Sequence, residues 1–314
     1  MQKFNSCLEA FSELPLEIDY FLTCLSYEDR CLTPIGLIEE NRIQNFLLFY
    51  MEEYVYYTNK HKDKFKEAYP NLIECALSTS NPIQCADQLI KVFSKNFKKD
   101  SNLVIDISTF TRESLLILIK FFYINKSSFN EIYLFYRAAE VSGELSSMIN
   151  QIRSVLGYMG ELDQSKPLHL ILLSGFEFHR AKEMIETIQP DYISIGYGEQ
   201  SSSISENLYL KNIEFKNQLL LFCNEYKNIQ EFTHSLTSIE NVVNEINEVI
   251  NRNPEHNFVL APLSNKISTI GTALTAIENP SIQICYSEVS NYNVNGYSQA
   301  LDMCFLQKIN SFTF

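Results

Sequence analysis

Short apolar runs alternate along this chain with polar turns and with longer segments of helical apolar spacing. The pattern is clearest at Asn102 to Glu113, where a buried-strand run over Leu103–Ile107 enters a polar turn and then an apolar helix from about Ser114. A β-branched run, a hydroxyl-rich turn and a helix make the first half of a βαβ unit. The turn holds Asp106, Ser108, Thr109, Thr111, Arg112 and Glu113. It falls at the carboxyl end of a core strand, where open α/β sheets bind ligands.

The same grammar runs through the rest. Strands are predicted over Ile18–Leu25, Phe46–Tyr50, Ile132–Tyr136, Leu168–Leu173, Tyr192–Ile195, Asn257–Ala261 and Ile282–Tyr286. Ser26 to Arg30 leads into a predicted helix through about Glu40. Lys60–Lys66 reads as the solvated face of a helix or its loop. Asn81-Pro82 opens a further helix, with Asn as N-cap and Pro at the first helical position. Apolar residues at Ile239, Val242, Val243, Ile246, Val249 and Ile250 predict a helix over about 238–251. Residues 138–166 read as the connection between two halves, and Tyr286–Ser298 as a polar loop laid over a sheet end.

Three motifs recur in one order at offsets of 149 to 155 residues. Glu28 and Arg30 match Glu177 and Arg180, Leu103–Ser108 matches Phe258–Ser264, and Tyr136 matches Tyr286. Alternating strands and helices predict parallel βαβ units with helices on both faces. The expected fold is α/β, with two pseudo-repeated Rossmann-like αβα units and mainly parallel sheets, over 1–150 and 151–314.

Composition narrows the function. The chain has 314 residues, 46% hydrophobic, and a net charge of −13, which argues against a broad duplex nucleic-acid surface. A small anionic, nucleotide-like ligand held by a few donors stays open. The eight cysteines contain no Cys-x-x-Cys pair and read as buried free thiols of a cytoplasmic protein. No signal peptide is evident, and the apolar helix after Ser114 is too short to span a bilayer. The five histidines lack ligand spacing, so no metal is expected. Neither a P-loop nor a Gly-x-Gly-x-x-Gly fingerprint follows a strand, so no cofactor is assigned; Gly196-Tyr197-Gly198 reads as a flexible turn.

Helix N-termini after strands suit phosphate or carboxylate. The candidate ligand contacts are Ser26, Arg30, Ser108, Thr109, Thr111 and Arg112 in the first half, and Glu177, Arg180, Ser264 and Lys266 in the second. Asp106 and Glu28 are candidate catalytic carboxylates. The hydroxyls also read as helix caps, and Arg30 and Arg180 as partners of Glu28 and Glu177 that fix the turns. Asp106 has no acidic counterpart at Ala261 or Pro262.

The runs Ser-Tyr-Glu-Asp-Arg-Cys (26–31), Asp-Ile-Ser-Thr-Phe-Thr-Arg-Glu (106–113), Gly-Phe-Glu-Phe-His-Arg-Ala (175–181) and Ala-Pro-Leu-Ser-Asn-Lys (261–266) resemble those of bacterial Rossmann-like proteins associated with phage-defence loci. In architecture the chain is similar to CARF and SAVED sensor domains, which bind cyclic oligonucleotides between two such units. The resemblance implies a sensor or adaptor for a nucleotide or other phosphorylated small molecule, with an effector protein as partner. Two alternatives stand beside it: a nucleotide-processing hydrolase or transferase using Asp106 or Glu28, and a structural subunit whose polar turns form a protein interface.

Overall fold

The computed structural model describes residues 1–96, 98–141, 146–294 and 298–309. Phe97, expected on the helix after Pro82, and the loop residues 295–297 lie outside that set. The chain divides into two compact units, Met1–Ser142 with Tyr297–Phe314, and Gly143–Gly296.

The first unit opens with β1 (Gln2–Phe4) and the short α1 (Cys7–Ser12). It continues through β2 (Ile18–Cys24), β3 (Ile43–Met51), α2 (Val55–Ala68), β4 (Ile73–Leu77), α3 (Pro82–Asn96), β5 (Ser101–Asp106), α4 (Arg112–Ile124) and β6 (Phe129–Val141). The second unit comprises β7 (Ser146–Met159), β8 (Leu168–Leu173), α5 (Phe178–Ile188), β9 (Tyr192–Gly198), α6 (Glu206–Phe222), β10 (Ile229–His234), α7 (Ile239–Arg252), β11 (Asn257–Pro262), α8 (Lys266–Glu278) and β12 (Gln283–Tyr292). The last strand, β13 (Ser298–Ile309), belongs to the first unit.

Among the described residues the first sheet has the order β1-β13-β6-β5-β2-β3-β4, and the second β10-β9-β8-β11-β12-β7. Strands β4, β3, β2, β5 and β6 are parallel, as are β10, β9, β8, β11 and β12. β13 and β7 each add an antiparallel strand, beside β6 and β12 respectively. Apart from β1, which has no counterpart in the second sheet, the two orders correspond strand for strand, with β13 in the place of β7. Each of these antiparallel strands directly follows, in the chain, the last parallel strand of the other unit.

A parallel sheet covered on both faces needs strands that are apolar throughout rather than alternating. β2 meets this with seven consecutive buried residues, and β11 with six. The first unit packs aromatic rings against its sheet, with Phe11 on Phe135 at 4.6 Å and Phe46 on Tyr69 at 4.2 Å between centroids. α4 and α8 are buried along most of their length, as expected of helices enclosed in a core; the buried hydroxyls of Ser268, Thr269, Thr272 and Thr275 on α8 donate to backbone carbonyls.

Four local expectations change. The helix expected from Arg30 to about Glu40 is only a 3-10 turn over Asp29–Leu32, because Pro34 and Gly36 (φ +78°) break any continuation. Within 138–166 lies β7, whose glycine at 157 (φ +87°) bends a strand instead of ending one. Tyr286–Ser298 is largely strand, since β12 runs to Tyr292 against β7. Gly196 and Gly198 lie inside β9, where the Phe232 ring and the Leu236 side chain occupy the space of a side chain.

Gly271 shows how closely α7 and α8 approach. A Cβ there would lie 2.6 Å from Val242 Cβ and Cγ1 and 3.2 Å from the Ile239 carbonyl. Gly271→Ala should therefore lower stability by about 1–2 kcal/mol, although alanine is the better helix former. Urea denaturation of the variant against the parent measures the sign.

Candidate functional site

In each sheet the strand order reverses between two central neighbours, β2 and β5 in the first and β8 and β11 in the second. The turns leaving these four strands are the four motif segments of the sequence. All candidate residues thus sit at the switch points where open α/β sheets form ligand crevices.

In the first unit, Glu28 and Arg30 form a buried two-point ion pair, Nε to Oε2 at 2.9 Å and Nη2 to Oε1 at 3.2 Å. Arg30 Nη1 also donates to the Arg137 carbonyl on β6 at 3.3 Å, and the Ser298 hydroxyl on β13 donates to Glu28 Oε2. In the second unit, Arg180 Nη1 donates to both oxygens of Glu177 at 3.0 and 3.2 Å. Arg180 Nη2 donates to the Ser287 carbonyl on β12, and the Ser146 hydroxyl on β7 donates to Glu177 Oε1 at 2.6 Å. Both pairs therefore have the same four parts: a glutamate, an arginine, a carbonyl on the neighbouring parallel strand and a serine opening the antiparallel strand. In each unit this clamp carries the turn after the first central strand across the end of the second.

The guanidinium of Arg180 also lies 5.4 Å from the Tyr286 ring centre, a cation–π distance. Burial works against its charge, but the adjacent Glu177 carboxylate more than offsets this and holds Arg180 above the ordinary arginine value. Beside it, Arg153 pairs with Glu288 and lies 5.9 Å from the same ring.

The remaining first-unit candidates fix the turn. Asp106 is fully buried and accepts from the Ser108 backbone N–H at 3.0 Å and the Thr23 hydroxyl at 3.2 Å. Burial pushes its carboxyl up to about 6, against the hydrogen bonds that lower it. Ser108 Oγ accepts from the Arg137 N–H at 2.8 Å, and the Thr109 hydroxyl donates to the Cys24 carbonyl at 2.5 Å. Ser26 Oγ accepts from the Glu28 N–H, and Thr111 is the N-cap of α4, accepting from the Ser114 N–H at 3.1 Å. Arg112 follows as the first residue of α4 and is half-buried. In the second unit Ser264 is buried, Asn265 caps α8, and Lys266 is the first residue of α8 and half-buried.

Several partners gave no sequence signal because they come from distant strands. Arg137 donates to the Leu301 carbonyl and to Thr33 Oγ1, and Ser287, Ser146 and Ser298 complete the clamps. Asn212 on α6 donates to the Ser174 and Gly175 carbonyls at 3.2 Å and accepts from the Gly198 N–H at 2.9 Å. Among the described residues, buried Ser174 Oγ and His234 Nε2 have no hydrogen-bond partner, and burial pushes the His234 imidazole down to about 4. Among the described residues no group of three His, Cys, Asp or Glu side chains could hold a metal, and no helix is long and apolar enough to cross a membrane.

The clamp and Asp106 each carry a stability signature. Glu177→Gln leaves the Arg180 charge buried with only 3% of its side chain exposed, which should destabilise the protein by about 3–5 kcal/mol. The double variant Glu177→Gln, Arg180→Met should recover much of that loss in equilibrium denaturation. The folded protein binds the Asp106 proton more tightly than the ordinary carboxyl value of 3.8. Its contribution to stability is thus full below 3.8 and lost as pH rises through about 6. Asp106→Asn should flatten the stability profile across that window by up to about 3 kcal/mol, read as the difference between parent and variant denaturation curves.

No family model matches the chain, and no curated protein matches it. Among solved structures it is similar to Can2 from Sulfobacillus thermosulfidooxidans in complex with cyclic tetra-adenylate, at 14% identity and a TM-score of 0.31, over 43% of this chain and 37% of that one. It is also similar to the cytoplasmic domain of a prokaryotic cation chloride cotransporter, at 8% identity and a TM-score of 0.26, over 88% of this chain and 98% of that one. Neither likeness is close enough to carry a functional argument.

Proposed function

We propose that this chain is a ligand-recognition module for a nucleotide or other phosphorylated small molecule, acting as a sensor or adaptor rather than a catalyst. The observation that carries the reading is the placement of cations at switch-point helix starts. Arg112 and Lys266 are the first residues of α4 and α8, and each is half-buried. The positive end of a helix dipole disfavours a cation and favours an anion. A phosphate seated there would be met by the side-chain charge and the first-turn amides together. Thr109, Thr111 and Ser264 border the same turns. The resemblance of the four motif runs to phage-defence proteins is the basis for placing this role in antiphage defence, with an effector protein reading the bound state.

Turnover is the weaker reading. Acid–base catalysis needs a carboxylate within hydrogen-bond reach of substrate. Asp106 is sealed in the core with its oxygens engaged, and Glu28 is held by Arg30 and Ser298.

Thermal-shift and calorimetric measurements against mononucleotides, dinucleotides and cyclic oligonucleotides should find a stabilising ligand. Arg112→Ala should weaken it by roughly 10- to 100-fold, the scale of a charged hydrogen bond. A panel without any ligand that depends on Arg112 or Lys266 would overturn the proposal. Nucleotide turnover lost in a folded Asp106→Asn variant would favour the enzyme instead.

A further inference from the structure

All eight cysteines are free and buried, but two of them meet. Cys7 is the first residue of α1, and Cys304 lies in β13, 297 positions later in the chain. The Cys304 thiol donates to Cys7 Sγ at a sulfur–sulfur distance of 2.8 Å. Strand pairing brings them together: β1 runs antiparallel to β13 with Phe4 opposite Cys304, and α1 begins three residues after Phe4. The Asp302 carbonyl lies 3.2 Å from Cys304 Sγ and 3.8 Å from Cys7 Sγ.

We infer that Cys7 and Cys304 are a redox-active thiol pair that closes reversibly to a disulfide under peroxide. The two sulfurs are 2.8 Å apart, so reaching a disulfide bond length of about 2.05 Å asks for an approach of less than about 1 Å. The pair is also asymmetric, as a peroxide-reactive thiol and its resolving partner should be. The Cys304 S–H donation, aided by the Arg137 charge, holds the Cys7 thiol below its ordinary value against the effect of burial, and the same hydrogen bond with burial raises Cys304. Cys7 retains 6% exposure where Cys304 has none, so Cys7 is the side an oxidant reaches.

The chemistry balances in two steps. The Cys7 sulfur attacks one peroxide oxygen; an S–O bond forms, the O–O bond breaks, and the departing hydroxide takes a proton as water. The Cys304 sulfur then attacks the Cys7 sulfenic acid. An S–S bond forms, the S–O bond breaks, and the hydroxyl leaves with the Cys304 proton as a second water. Two thiols lose two electrons, and hydrogen peroxide is reduced to two waters. A dithiol reductant reverses the step by exchange. The disulfide ties the N-terminal segment to the strand that also supplies Ser298 to the Glu28 clamp.

The other cysteines provide an internal control, because burial pushes the thiols of Cys75 and Cys85 up to about 12 and those of Cys223 and Cys285 up to about 11. The test treats the native full chain with hydrogen peroxide, then denatures and alkylates it with and without dithiothreitol. The expected result is two protected thiols of the eight, a mass lower by two hydrogens, and a cross-linked peptide joining Cys7 to Cys304 that dithiothreitol abolishes. The oxidised chain should also melt several degrees higher than the reduced one, because the bond constrains the unfolded chain. Cys7→Ala and Cys304→Ala should each lose both effects. Peptide mapping of the parent decides the matter even where a variant folds poorly: full alkylation of Cys7 and Cys304 after peroxide, or their separate over-oxidation without a cross-link, overturns the inference.

Discussion

The switch-point turns of both units depend on a buried glutamate–arginine pair. Taking both charges out of water costs several kcal/mol each, and their attraction repays this only when the remaining donors and acceptors are met. Here they are met from far along the chain. Arg30 reaches the Arg137 carbonyl and Arg180 the Ser287 carbonyl, while Ser298 and Ser146 serve Glu28 and Glu177. A residue pair three positions apart or less thus binds a turn to strands 107 and 270 residues away in the first unit, and 107 and 31 residues away in the second. Cutting any of these contacts would leave charge stranded in the core.

That requirement gives the two antiparallel strands their importance. β13 and β7 are each bonded to only one strand of a parallel core, and among the described residues β7 ends its sheet. Each nonetheless opens with the serine that completes a clamp in the unit it joins. The order of the chain makes this a long-range dependence: the first unit's clamp is incomplete until β13 has followed all of the second unit's strands. β1 then covers β13, so that the strand carrying Ser298 is not left as an open edge.

Much of this was legible in the residues, and the limit has a physical cause. Buried parallel strands announce themselves as continuous apolar runs, so β2, β5, β8 and β11 were readable, as was the buried helix after Thr111. The pairing of Glu28 with Arg30 and Glu177 with Arg180 followed from proximity in sequence. β4, β7, β10 and β13 were not readable, because their exposed positions interleave with buried ones and look like loop polarity. β13 returning to the first unit has no local signature at all, since strand pairing is set by register across the sheet rather than by composition. The same limit hid Ser146, Ser287 and Ser298, which look like ordinary surface serines until the sheets form.

The two units close their switch points by different means, and this accounts for the lone acid. In the first, the turn after β5 is held by side chains: Asp106 takes the Ser108 N–H, and the Thr109 hydroxyl reaches back to the Cys24 carbonyl. In the second, close backbone contacts and the Asn212 side chain take that place. Leu263 N–H donates to the Leu173 carbonyl at 3.0 Å, and Gly175 packs so tightly that a Cβ would lie 2.2 Å from the Leu263 oxygen. Asn212 then anchors the Ser174 and Gly175 carbonyls from α6. A carboxylate at Pro262 would have no comparable turn to hold, and a side chain at Gly175 would force the two turns apart. The asymmetry between Asp106 and Pro262 is therefore accounted for by turn geometry.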